Sequence, residues 1–157
     1  LDAEVVCRKG KPKRTVPVQN VIEKRPAQFL ASAEIIAEIA LPIYGKGTGT
    51  SFAKFAKTAN DYAMITLATR ISLKGGKIDQ ARIAVNAITA SPVRCLEAEK
   101  LLVGQKPTDE LIAAAAAKAA DSISIRKDFR ASREYRKEVF EVMVRRALTE
   151  SLEKAGK

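Results

Sequence analysis

Up to Ser91 the apolar positions of this 157-residue chain recur mostly every second residue; beyond it they recur every third or fourth. The first rhythm belongs to strands and the second to helices. "DAEVVC" at 2–7 and "RTVPV" at 14–18 flank the turn-like "KGKPK" and predict a hairpin. Pro17 has no amide hydrogen and confines the second strand to an edge. "AEIIAEIALP" at 33–42 is readable two ways: alanine and glutamate favour helix, whereas Ile35, Ile39 and Leu41 can share a strand face. Its shortness favours the strand, and Pro42 stops either. "AMITLATRISL" at 63–73 sets Ile65, Leu67, Ile71 and Leu73 against Met64, Thr66, Ala68, Arg70 and Ser72. "KGGK" follows, with Gly75 and Gly76 suited to a tight turn, and "KIDQARIAVNAI" alternates again with Ala81, Ile83, Val85 and Ala87 on one face.

Three helices follow. Ser91 and Pro92 have the order of an N-cap and first helical residue for "SPVRCLEAEKLLVG", with Gly104 as the stop. Thr108 caps "PTDELIAAAAAKAADS", whose Asp109 and Glu110 suit the positive end of the helix dipole. Its alanines favour helix and allow close approach by a neighbour. In the last segment, 132–156, Phe140, Met143, Val144, Ala147 and Leu148 form an apolar stripe, with Arg136, Lys137, Glu141 and Arg145 largely off it. Strands first and helices after give an α+β fold: a small antiparallel sheet of three to four strands, covered on one face by three helices.

Composition then removes several chemistries. The chain has no histidine, and Cys7 and Cys95 are far apart in sequence. A Cys/His zinc site, a histidine triad and an iron–sulfur cluster built from this chain alone are excluded. Two lone cysteines fit a reducing compartment, which places the protein in the cytoplasm. No apolar run is long enough to cross a membrane as a helix, and no signal segment opens the chain. A start at Leu1 reads as a fragment, a processed product or an incomplete N-terminus. The net charge of +10 suits an anionic partner. The basic residues are dispersed among acids, and no aromatics interleave with the "RKGKPKR" run at 8–14, which argues against nucleic acid.

Candidate chemistry is sparse, and no catalytic residue is assigned. Glu97 with Glu99, and Asp109 with Glu110, read as helix-end or surface charges rather than an acid–base pair. In "DFRASREYRKEV" at 128–139, Arg130 lies in the approach to a helix and Tyr135 and Arg136 in its first turns; Ser132 reads as the helix cap and Tyr135 as packing on the sheet, with a subunit-docking joint as the alternative. The glycine-rich "PIYGKGTGTS" at 42–51 fails the phosphate-loop frame, because Lys46 lies between Gly45 and Gly47 and no lysine precedes Thr48 in the required order.

The ordered pieces "ARIAVNAI", "SPVR", "EAEKLLVG" and "ASREYRKEV…VRRAL", with "LDAEVV", "RTVPV" and "AEIIAEIALP" upstream, resemble the C-terminal half of the FAD-binding subunit of molybdenum hydroxylases, the xanthine and carbon monoxide dehydrogenase family. The resemblance covers nearly the whole chain and implies two parts: 1–42 as the tail of an FAD-binding domain, and 43–157 as the family's C-terminal domain. It implies an electron-transfer role, with FAD held mainly by glycine-rich loops outside this chain. The molybdenum cofactor and [2Fe–2S] clusters would lie on partner subunits, and NAD or another acceptor would take the electrons. Partners would be the N-terminal part of the FAD subunit, an iron–sulfur subunit and a molybdenum subunit, with no activity expected of this chain alone. On the same ground "SFAKFAKTANDYA" at 51–63 is the strand and loop beside the flavin ring. Gly45 to Gly49 would be a connecting turn, Lys54 a lysine near the ring, Ile36 an apolar residue packed on it, and Asp61 a loop residue at its edge. From the residues alone, Lys54 reads as a solvated strand lysine and Asp61 as a turn cap. A basic nucleic-acid module and a purely structural docking domain are the competing functions.

Overall fold

The computed structural model describes residues 2–24 and 26–156. They form two compact units, Leu1–Tyr44 and Gly45–Lys157. The first unit carries β1 (Glu4–Arg8), β2 (Lys13–Pro17), α1 (Val18–Lys24), α2 (Pro26–Phe29) and β3 (Ile35–Ala40). β1 and β2 form the expected hairpin, and the sheet order β2-β1-β3 leaves Pro17 on an edge strand. The segment after Ala33 is a strand, antiparallel to β1 with a bulge opposite Val6 and Cys7. The two short helices are not announced by the alternation. Val5, Cys7 and Val21 form this unit's small core, with Val16, Val18, Phe29 and Leu30 packed against it. β3 stays exposed along its length, so the expected apolar face of Ile35, Ile39 and Leu41 lies at the surface. The guanidinium of Arg14 holds Glu34 through two hydrogen bonds of 2.7 Å and lies over the Phe29 ring. That contact, chiefly, brings the Glu34 carboxyl down to about 2.

The second unit carries β4 (Thr48–Phe55), β5 (Ile65–Lys74), β6 (Lys77–Asn86), β7 (Val93–Arg94), α3 (Leu96–Leu102), α4 (Asp109–Asp121) and α5 (Arg133–Ala155). The four strands form an antiparallel sheet in chain order, and the three helices supply the other side of its core. This is the α+β arrangement read from the sequence. Gly75 and Gly76 both have positive φ at the β5–β6 turn, a conformation glycine adopts without a steric penalty. A register shift between Ser72 and Leu73 leaves Asp79 as an extra residue in β6. Ile78 therefore faces the core together with Ala81, Ile83 and Val85, which strict alternation would forbid.

The first helix begins later than the sequence suggests. Val93–Arg94 pairs with Ala84 and Val85 as a short strand, and α3 starts only after Cys95, whose side chain makes no cap bond. Pro92 ends up ahead of a strand rather than inside a helix. The other two caps are as read: Thr108 Oγ1 accepts from Leu111 N at 3.2 Å, and Ser132 Oγ accepts from Tyr135 N at 3.1 Å. In α4, Ala115, Ala116, Ala119 and Ala120 face the core, and their small size lets α3 and α5 pack closely on it.

Two polar residues depart from the sequence reading. Arg136 is not off the stripe of α5 but 1% exposed within it, one helical turn before Phe140. Glu99 is not a surface charge but 5% exposed, whereas Glu97 does sit outside, paired with Lys100 at 2.8 Å. Gly49 is not in a connecting turn. It lies inside β4, directly beneath α5. Among the described residues, no helix is long and apolar enough to cross a membrane.

Candidate functional site

β4 and β5 are joined by a loop over residues 56–64, closed at its base by Met64 N donating to Phe55 O at 2.8 Å. Lys54, paired in register with Thr66, sits one residue before β4 ends. Its Nζ donates to Ala59 O at 3.0 Å, reaching over the start of the loop. Asp61 Oδ2 accepts from Thr58 N at 3.1 Å, and Asp61 N donates to Thr58 O at 3.2 Å. Asp61 thus caps a turn within the loop. Lys54, Ala56, Lys57, Thr58 and Ala59 line an open hollow of about 200 Å³. Two ammonium groups and no carboxylate belong to that lining. Its chemistry suits the carbonyl or anionic edge of a ligand.

The structure places Lys54 at the end of β4 and Asp61 in the loop that follows, on one hairpin. Ile36 belongs to β3 of the first unit, where it pairs with Cys7 and is 38% exposed.

Residues at the approach to α5 and in its first turn hold this loop. Asp128, between α4 and α5, accepts from Arg130 Nη2 at 2.8 Å and from Arg136 Nη2 at 2.5 Å. Arg130 Nη1 donates to Tyr62 O at 3.4 Å, and Arg136 Nη1 to Met64 O at 3.3 Å. The Arg130 guanidinium, more than any other group, holds the Asp128 carboxyl well below the usual carboxylate range. In return Asp128, with a smaller contribution from Asp61, raises Arg130. The available signal was the spacing of Arg136, four residues before Phe140 and eight before Val144, on the line of the buried stripe. Tyr135 packs beside Phe55, the last residue of β4, at a ring distance of 6.4 Å and remains half exposed.

The profile of the CO dehydrogenase flavoprotein C-terminal domain matches residues 50–151. The chain belongs to that family. Within this flavoprotein domain family it is 29% identical, over 96% of its length, to the glyceraldehyde dehydrogenase medium chain of Sulfolobus acidocaldarius. It is 30% identical, over 99% of its length, to subunit alpha of the 6-hydroxypseudooxynicotine dehydrogenase complex of Paenarthrobacter nicotinovorans. In each case it covers 53% of the relative. A solved carbon monoxide dehydrogenase of Hydrogenophaga pseudoflava, lacking the Mo-pyranopterin moiety of its molybdenum cofactor, superposes with a TM-score of 0.87 at 27% identity. That match covers 98% of this chain and 53% of the other. The chain thus spans about half the length of the relatives it matches, and the family read from its ordered motifs is the one found.

For a flavoprotein domain, the glycines at 45–49 are informative by what they do instead of binding phosphate. Gly47 O accepts from Leu73 N at 2.7 Å, and a Cβ at Gly47 would stand 3.0 Å from Leu73 O. Gly49 is filled from above by the backbone of α5. These two serve close packing, and among the described residues that glycine-rich stretch offers no diphosphate cradle; the positive lining of the hollow is compatible in charge with the polar edge of a flavin ring.

Proposed function

We propose that this chain is the C-terminal part of the FAD-carrying electron-transfer subunit of a molybdenum hydroxylase. Residues 1–42 then complete the FAD-binding domain, and 43–157 are the C-terminal domain that presents the Lys54 hairpin to the ring. The observation that carries the reading is the two-lysine hollow at the tip of β4 in a chain of this flavoprotein family. Bound FAD would supply the exchange between one-electron iron–sulfur carriers and a two-electron acceptor such as NAD. The protein's share is positional and electrostatic. Lys54 puts an ammonium where negative charge collects on reduction, and Asp61 shapes the loop at the ring's edge. The diphosphate is held by the N-terminal part of the same subunit, and the iron–sulfur and molybdenum subunits complete the assembly, the latter choosing the substrate.

A cytoplasmic, reducing location suits the two cysteines, both buried and free. Burial pushes the Cys95 thiol up to about 12, which keeps it protonated and inert at neutral pH.

The test is Lys54→Met in the full-length subunit, assembled in its complex. The potential of the bound flavin is expected to fall by about 30 mV, a tenfold change for a two-electron couple. An unchanged potential overturns the placement of Lys54.

A further inference from the structure

The α4–α5 connection holds the candidate site from behind. A leucine at 136 would continue the apolar stripe of α5 and avoid the desolvation cost of a buried guanidinium. Arg136 Nε has no partner among the described residues, so the arginine is not there to satisfy itself fully. What it makes are two directed bonds, to Met64 O and to Asp128. Asp128 is itself fixed: its backbone oxygen accepts from Ala131 N at 3.4 Å, and its Oδ1 accepts from Arg130 N at 2.9 Å. The segment is tied to the sheet's end by Arg126 N donating to Ile88 O at 2.9 Å. Three carbonyls of one loop, those of Ala59, Tyr62 and Met64, are therefore each held by a cation, Lys54, Arg130 and Arg136 in turn. Asp128 orients two of those three.

We propose that Asp128 is a positioning residue for the ligand-facing hairpin: through Arg130 and Arg136 it fixes the 56–64 loop, and through Ala59 the loop fixes where the Lys54 ammonium stands. Asp128 touches no ligand and acts only through the two arginines. This rests on the reading of Lys54 as the residue facing the flavin. It adds that the position of that charge is set by the segment before α5, 74 residues further along the sequence.

The experiment compares Asp128→Asn, Asp128→Glu and Arg130→Ala with the wild type in the full-length subunit within its complex. Arg130→Ala spares the buried Arg136 and remains informative if Asp128→Asn fails to fold. Two quantities are read: amide hydrogen exchange of residues 56–64 in flavin-free complex, and the flavin potential after loading. The inference predicts about tenfold faster exchange confined to 56–64 in Asp128→Asn and Arg130→Ala, with α4 unchanged. It also predicts a potential shifted in the same direction as in Lys54→Met, and partial recovery of both readouts in Asp128→Glu. Unchanged exchange in 56–64, or equal loosening of α3, α4 and α5, overturns it. If Lys54→Met moves the potential and Asp128→Asn does not, the positioning role fails while the flavin-facing reading stands. If the loop loosens but neither variant moves the potential, the reading of Lys54 fails and the positioning of its charge for that ligand fails with it.

Discussion

Gly49→Ala is expected to destabilise the second unit by about 3 kcal/mol or more, at the upper end of overpacking effects. An added Cβ would stand 2.0 Å from Ser151 O and 2.6 Å from Ala155 N, both backbone atoms of α5. Relief would require the helix to lift from the sheet. Several bonds resist that movement: Thr69 Oγ1 to Ala147 O at 3.0 Å, the Thr69–Ser151 hydroxyl pair at 2.7 Å, Ser51 Oγ to Glu150 at 2.5 Å, and Lys154 Nζ to Thr50 O at 3.1 Å. Lifting α5 would also open the core around Phe140 and Leu148. Gly45→Ala is the control. Apart from its chain neighbours, no described atom lies within 4 Å of its added Cβ, and its change should stay within about 0.5 kcal/mol. Urea unfolding of the two variants measures both. Equal midpoints would show that α5 does not press on β4 as described.

Glu99→Ala is expected to cost about 3 kcal/mol, because it removes the buried partner of a half-buried ion pair and orphans a buried backbone donor. β7 is only two residues long, so β6 lacks a strand neighbour along most of one edge. Glu99 stands in for it. Its Oε1 accepts from Ile83 N at 2.8 Å and from Arg94 Nε at 2.6 Å, while Oε2 accepts from Arg94 Nη2. Glu99→Gln keeps one acceptor oxygen for Ile83 and should lose about half as much. Denaturant midpoints with the two substitutions distinguish the roles. Equal losses would mean that the charge matters and the strand-edge bond does not.

These two residues also show where sequence reasoning stopped. Local rules were sufficient wherever the cause was local: the Gly75-Gly76 turn, the Thr108 and Ser132 caps, the edge placement of Pro17. They failed where the cause lay across the fold. Ser91-Pro92 has the order of a helix start, but the exposed edge of β6 takes Val93–Arg94 as a strand first. Glu99 looks like any helix glutamate until β6 is placed beside it. Arg136 breaks an apolar stripe on paper and completes it in space, because its length carries the guanidinium to Met64 O and Asp128 at the helix end. The strand at 48–55 was legible only through the family resemblance, since Thr48, Thr50, Phe52 and Lys54 fall on one face and Gly49, Ser51, Ala53 and Phe55 on the other, so that neither face is apolar throughout. The candidate site has the same origin: neither Lys54 nor Asp61 stands out by residue type, and the Asp128 cluster that holds their loop joins positions more than sixty residues apart.

Under the proposed function, the β4–β5 hairpin faces the flavin while the rest of FAD is gripped by the N-terminal part of the subunit. Hydrogen exchange of the full-length subunit with and without FAD tests it most directly. Loading FAD is expected to slow exchange in residues 54–62 and to leave α4 unaffected. Protection that appears only outside this chain, with 54–62 exchanging at the same rate in both states, would contradict it.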